Sequence, residues 1–73
     1  MRWEHERETW ALWCHDPSSG RAVHVAGRAF ADGRWYTTAR YGGEIGQAPT
    51  LVDAKAAVEA AAWASLAEGL AER

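Results

Sequence analysis

The chain has few large aliphatic side chains. Valine, isoleucine, leucine and phenylalanine together supply only ten of its 73 residues, whereas sixteen residues are alanine. A supply this small is typical of disordered chains, but the net charge of −2 is low and five tryptophans are present. We therefore expect a folded protein in which the tryptophans supply much of the core.

Cysteine and long apolar runs are also scarce. The single cysteine excludes an internal disulfide, and the charged start of the chain has no signal-peptide pattern. Eight basic residues against ten acidic ones give no overall attraction to nucleic acid or to a membrane. These features predict one domain over residues 1–73, in a reducing cytoplasm, and they exclude a disulfide scaffold, a transmembrane protein and a multi-domain enzyme.

Turn residues divide the first part of the chain into predicted strands. The run from Asp16 to Gly20 contains proline, serine and glycine, and Asp32-Gly33 is a strong hairpin signal. The segments between these turns are rich in aromatic and β-branched residues. They predict three strands, at residues 9–15, 21–30 and 34–41.

A long helix is predicted after a glycine-rich loop. Thr50 and Asp53 have the spacing of an N-cap and the third helical residue, and nine alanines lie in residues 51–71. Small residues recur at three- and four-residue spacing, so one face of the helix can approach the sheet closely. The predicted fold is α+β with two layers, a three-stranded antiparallel β-β-β-α meander packed on one C-terminal helix.

The expected strand pairing separates two faces of the sheet. A two-residue turn at Asp32-Gly33 places Phe30 opposite Trp35, and a bulge at Gly27 keeps Phe30 on the face of Val25. The inner face is then predicted to contain Trp10, Leu12, Cys14, Val23, Val25, Phe30, Trp35, Ala39 and Tyr41. The uncovered outer face is predicted to carry a partner-binding patch of Trp13, His24, Arg28, Tyr36 and Arg40.

The sequence indicates no catalytic or metal-binding arrangement. Neighbours Cys14 and His15 point to opposite faces of a strand, and the predicted register also separates Cys14 from His24. The histidines, including His5, lack the spacing of metal ligands, and the Gly42–Gly46 run lacks the Gly-Lys-Ser/Thr ending of a phosphate loop. We therefore expect neither enzymatic activity nor a bound cofactor.

The charge distribution leaves nucleic acid as an alternative partner. Residues 16–43 carry a local charge of +2, and the segment from residue 51 onward carries −2. A mildly basic sheet with exposed Trp13 and Tyr36 can stack bases and contact phosphates. Four arginines over these strands are a modest number, so the sequence favours a protein partner.

The helix has a second apolar ridge. Trp63 lies off the stripe that faces the sheet, and with Leu66 and Leu70 it forms a surface flanked by small alanines. Two such helices can approach closely in a two-fold contact, which predicts a homodimer through these three residues. The alternative is a monomer in which Trp63 folds over the sheet edge or over Trp3.

The architecture resembles that of several small families. A strand meander followed by the run from Thr50 to Ala60 is similar to the HicB-like antitoxins. In size and charge balance the chain looks more like accessory proteins of phages and mobile elements, such as anti-CRISPR and other defence inhibitors. That resemblance implies a non-enzymatic inhibitor or accessory factor that covers a surface of a larger protein or nucleoprotein complex, in the host cytoplasm if phage-encoded. A nucleic-acid-binding module and an antitoxin-like protein are the alternatives.

Overall fold

The computed structural model describes residues 1–15 and 19–71, apart from the side chains of residues 22, 23 and 68–71. These residues form an α+β fold in which a five-stranded antiparallel sheet, in the order β1-β2-β3-β4-β5, precedes a helix. The elements are β1 Arg2–Glu6, β2 Thr9–His15, β3 Ala22–Phe30, β4 Arg34–Thr37, β5 Ile45–Gln47 and α1 Leu51–Ala71. The predicted class is confirmed, but the sheet has two strands more than the three predicted.

Strand β1 is one of the two additional strands. It pairs regularly with β2, so that Trp3 lies opposite Leu12. The connecting turn is Arg7-Glu8, and Arg7 takes a left-handed φ of 58° because a two-residue hairpin requires such a conformation. Glycine and asparagine usually occupy that position, and their absence removed the ordinary hairpin signal from the sequence.

The turn between β3 and β4 is longer by one residue than predicted. Gly33 has a φ of 93° and its N–H donates to the Phe30 carbonyl at 2.9 Å, which closes a three-residue loop. Trp35 therefore lies opposite Ala29, not opposite Phe30. Since side chains alternate along a strand, this shift moves Phe30 from the predicted inner face to the outer one.

The irregularity in β3 lies at Ala26 instead of Gly27. Leu12 pairs with Gly27 and Trp13 pairs with Val25, which leaves Ala26 as the extra residue. Val25 consequently shares the outer face with Trp13, so its predicted place on the inner face was wrong. Ala26 itself is fully buried in the core.

Gly27 is required by packing. A Cβ atom there would lie 2.5 Å from the Tyr36 carbonyl oxygen and 2.8 Å from Cγ1 of Val58. The missing side chain therefore lets the helix approach the sheet at this point.

Strand β4 ends at Thr37, four residues earlier than predicted. Ala39–Tyr41 instead forms a turn of 3-10 helix, which Gly42 terminates with a φ of 102°. The backbone N–H of Tyr41 donates to the Thr38 carbonyl at 2.8 Å. The chain then reverses into β5, a segment that was predicted as loop.

The helix begins with a side-chain cap and buries a stripe of small residues. The N–H of Asp53 donates to the Thr50 hydroxyl at 3.2 Å, which satisfies one free donor of the first turn. Ala54, Val58 and Ala62 are completely buried against the sheet. The core cluster comprises Leu12, Cys14, Ala26, Tyr41, Val58 and Ala62, with Trp3 and Trp35 packed against it.

Candidate protein-binding surface

The helix packs on the face of the sheet that contains Leu12 and Ala26, so the described part of the chain leaves the opposite face uncovered. We call this opposite side the outer face. Its side chains come from all five strands. They belong to Arg2, Glu4, Glu6, Thr9, Ala11, Trp13, Val25, Arg28, Phe30, Arg34, Tyr36, Ile45 and Gln47. Ala11 is fully buried although it lies on this side, so the longer side chains around it close over it.

Glu6 organises one end of the outer face. Its carboxylate accepts hydrogen bonds from the Trp13 indole N–H at 2.7 Å and from the Arg28 guanidinium at 3.3 Å. The same guanidinium donates to the Thr9 hydroxyl at 3.2 Å. Thr9 in turn donates to the Glu6 carbonyl at 3.1 Å. Trp13 and Arg28 are therefore held in place by hydrogen bonds across three strands.

The electrostatics of Glu6 follow from these contacts. The hydrogen bond from Trp13 is the largest influence that lowers the pKa of Glu6 below its ordinary value of 4.5, and the hydrogen bond and charge of Arg28 lower it further. Glu6 is therefore ionised whenever the cluster is intact near neutral pH.

The other end of the outer face is aromatic and apolar. The rings of Phe30 and Tyr36 lie 6.2 Å apart in a tilted arrangement, and the Arg34 guanidinium lies 5.4 Å from the Phe30 ring centre. Ile45 on β5 is 83% exposed next to Tyr36. These side chains, with Gln47, line a shallow depression at the sheet margin.

Both central arginines of the outer face are paired with acids. Arg28 contacts Glu6, and Nε of Arg34 lies 2.7 Å from Oδ2 of Asp32. A hydrogen bond from the Arg34 backbone, reinforced by the Arg34 charge, lowers the pKa of Asp32. The positive charge predicted for this face is therefore largely neutralised within the protein.

Trp13, Arg28 and Tyr36 of the predicted patch share the outer face, but His24 does not. It lies opposite Cys14 on the inner side, so the prediction that these two residues occupy opposite faces was wrong. The observed register pairs Cys14 with His24, one residue away from the predicted pairing, and a one-residue shift reverses the faces of a strand. The His24 Nε2 and the Cys14 Sγ lie 2.6 Å and 2.9 Å from the Tyr41 hydroxyl oxygen.

The surroundings of Tyr41 also determine its protonation state. Burial is the main influence that raises the pKa of Tyr41 to about 12, and the Cys14 contact raises it further. Tyr41 is therefore a neutral phenol that links the Cys14 thiol and the His24 imidazole.

Arg40 is also displaced from the predicted strand. It belongs to the 3-10 turn, where it is exposed and lines a separate hollow with Val25, Thr38 and His24. Its backbone carbonyl accepts a hydrogen bond from the Ser65 hydroxyl at 3.4 Å. Arg40 therefore lies away from the aromatic end of the outer face.

The helix ridge predicted to form a dimer is exposed where it is described. Trp63 is 61% exposed and Leu66 is 38% exposed, while the side chain of Leu70 lies outside the described residues. Exposed Val52 and the alanines on the same side extend the ridge toward the start of the helix. The homodimer stays a prediction.

Three residues important to the outer face were missed by sequence reasoning. Glu6 was overlooked because β1 was not predicted, although Arg2 to Glu6 alternates polar residues with Trp3 and His5. Phe30 was assigned to the inner face through the wrong turn length. Ile45 was assigned to a loop because two glycines flank it closely. The alternation in β1 is the signal that could have revealed Glu6.

Neither a metal-binding group nor a membrane-spanning helix is present among the described residues. Within this part of the chain, no group of three or more His, Cys, Asp or Glu side chains is arranged to hold a metal ion. No helix there combines the length and apolarity that crossing a bilayer requires.

The chain matches no protein-family model, and the curated proteins and solved structures give no match either.

Proposed function

We propose that the chain is a non-enzymatic binding protein, an inhibitor or accessory factor whose outer face covers a surface of a larger protein. The observation that carries this proposal is the combination of exposed apolar area and ordered polar groups on one uncovered sheet face. Phe30, Tyr36 and Ile45 supply the apolar part, while Glu6 orders Trp13 and Arg28 beside it. Aromatic and arginine side chains dominate the energetics of protein interfaces.

The geometry of the arginines favours a protein over a nucleic acid as partner. Nucleic-acid binding draws most of its affinity from unpaired basic side chains that neutralise phosphates. On the outer face Arg28 and Arg34 are each engaged by a carboxylate, and the charge of Glu4 offsets that of Arg2 on the same strand. A surface that mixes paired charges with aromatic rings matches a protein interface more closely. Small defence inhibitors encoded by phages, which this architecture resembles, often work by covering a surface of their partner.

The proposal is tested by affinity capture from a lysate of the source cell, followed by titration calorimetry with the purified partner. Trp13→Ala removes an aromatic anchor from the outer face and is expected to weaken binding by about thirtyfold, corresponding to about 2 kcal/mol. Trp63→Ala is the matched control, since it removes an exposed tryptophan from the helix. Circular dichroism must show both variants folded.

Two outcomes would contradict the proposal. Equal loss of affinity in Trp13→Ala and Trp63→Ala would show that the outer face is not the specific contact. Retention of a nucleic acid, with an affinity that falls steeply as salt concentration rises, would identify a phosphate-driven partner and favour the alternative function.

A further inference from the structure

The two free edges of the sheet differ in how they are protected. The β1 edge carries alternating charged side chains, Arg2, Glu4 and Glu6, which oppose pairing with another strand. The β5 edge, Ile45–Gln47, has no charged residue and exposes 83% of Ile45. An uncharged edge with an exposed β-branched residue is the kind that accepts an additional strand.

The register of β5 shows which of its backbone groups face outward. The Thr37 N–H donates to the Glu44 carbonyl, and the Ala48 N–H donates to the Gly33 carbonyl. Because hydrogen-bonded and non-bonded positions alternate in an antiparallel ladder, Gly46 also faces β4, opposite Trp35. The N–H and C=O groups of Ile45 and Gln47 must therefore point away from the sheet. They offer two donors and two acceptors to an incoming strand.

The side chains next to this edge indicate what such a strand would carry. Ile45 lies on the outer face beside Tyr36, so the residue opposite Ile45 would be placed over an apolar surface. Gln47 lies beside Arg34, whose side chain remains 64% exposed despite its contact with Asp32. An acidic or amide side chain opposite Gln47 could hydrogen-bond to both of these residues.

The geometry points to β5 as a strand-addition site for an extended segment of the partner protein. The segment runs antiparallel to β5. In its own N-to-C direction it carries an acidic or amide residue opposite Gln47, any residue opposite Gly46, and a large apolar residue opposite Ile45. This inference rests on the proposed function, because it states how the protein partner would reach the outer face. Backbone hydrogen bonds supply the affinity and the two alternate side chains supply the specificity.

A second copy of this chain fits the edge less well. Antiparallel pairing of two β5 strands about Gly46 places Gln47 of one copy opposite Ile45 of the other, so the second copy offers Ile45 no apolar residue across the new pair. Pairing about Ile45 instead places Gln47 opposite Gly43, whose φ of 60° is not extended. A foreign segment has neither restriction.

The test uses a phage-displayed library of random linear peptides, selected on the full chain. Selected peptides are expected to share the acidic-or-amide, any-residue, apolar pattern. Gln47→Pro removes one outward N–H without removing a bond to β4, and it is expected to weaken peptide binding by about tenfold or more. Ile45→Lys adds a charge to the edge and should weaken binding similarly. Val52→Lys is the matched control, since Val52 is 76% exposed on the helix.

Amide hydrogen exchange adds a readout that does not depend on a variant. Bound peptide is expected to slow exchange of the Ile45 and Gln47 amides by about tenfold while changing Gly46 little, because Gly46 is already bonded to β4. Failure to select peptides, equal binding to Gln47→Pro, or protection elsewhere in the chain would overturn the inference. If the captured partner binds Gln47→Pro normally but not Trp13→Ala, the proposed function stands and strand addition is wrong.

Discussion

The two faces of the sheet are built on different principles. The helix packs on the inner face through small residues, so that Ala26, Ala54 and Ala62 are fully buried, and only Leu12 and Val58 are large among the completely buried side chains described. The outer face uses long side chains that hydrogen-bond to one another through Glu6. The inner arrangement stabilises the fold because the helix can approach the sheet closely. The outer arrangement orders side chains on the surface without burying them. Stability and binding are therefore expected to respond to different substitutions.

The largest expected effect concerns Gly27, where the helix approaches the inner face of the sheet closely. Gly27→Val would place a side chain where even a Cβ lies 2.5 Å from the Tyr36 carbonyl oxygen. Such overpacking is expected to lower the free energy of unfolding by about 3 kcal/mol, measured by urea denaturation. Gly20→Ala is the control, since a Cβ there meets no atom within 4 Å and only its φ of 72° opposes the change. Equal destabilisation by both would refute a packing role for Gly27.

A matched pair of β-branched residues sharpens the contrast between the faces. Val58→Ala removes two methyl groups from a completely buried site and is expected to cost about 2 kcal/mol of stability. Ile45→Ala removes more atoms from the outer face but should cost less than about 0.5 kcal/mol, because 83% of Ile45 is exposed. Thermal or urea denaturation of both variants measures this difference. A large loss for Ile45→Ala would mean that the outer face also stabilises the fold.

The helix could be read from the sequence because its signals are local. Thr50 and Asp53 are three residues apart and form the expected cap, and the alanines between residues 51 and 71 favour helix whatever packs against them. The α+β class followed from this helix and from the turn residues before it. These features depend on neighbours in the chain and so need no tertiary information.

The faces of the strands could not be read in the same way, because one inserted residue reverses them. The three-residue loop at Gly33 moved Phe30 outward, and the one-residue shift that pairs Cys14 with His24 moved His24 inward. Strand β1 was missed because its turn to β2 lacks the usual hairpin residues, and β5 was missed because it has only three residues, one of them Gly46. Arg7 in a left-handed turn carries no sequence signal of its own. The candidate site was therefore only partly predictable.

The outer side of the helix is a third region, separate from both faces of the sheet. If Trp63 and Leu66 pack against a second copy, light scattering at high micromolar concentration will give twice the 8.0 kDa mass of one chain. Trp63→Glu is then expected to give a folded monomer, because a carboxylate cannot be buried there without a partner. A mass near that of one chain for the parent protein would contradict the homodimer. Association through one helix face would be weak, since its area is small beside that of standard interfaces.

The smallest expected effect is the pH dependence of the Glu6 cluster. The hydrogen bonds from Trp13 and Arg28 favour the carboxylate, so the pKa of Glu6 in the folded protein lies below its ordinary value of 4.5. The unfolded chain then binds the proton more readily than the folded one. The stabilisation that Glu6 provides is therefore complete above that ordinary value and is lost as pH falls through the lower folded pKa.

Glu6→Gln removes this titration and is expected to flatten the acid side of the stability curve below the ordinary value of 4.5, measured by urea denaturation at a series of pH values. Glu4→Gln is the control, because Glu4 lies on the same strand and the same face. The Trp13 indole N–H resonance in NMR spectra should shift over the same pH interval, since protonation of Glu6 weakens its bond to the indole. If the stability of Glu6→Gln falls with decreasing pH as steeply as that of the parent protein, the Glu6 contacts position Trp13 without contributing to stability. The outer face would then be ordered at no gain in folding free energy, the strongest form of the contrast with the inner face.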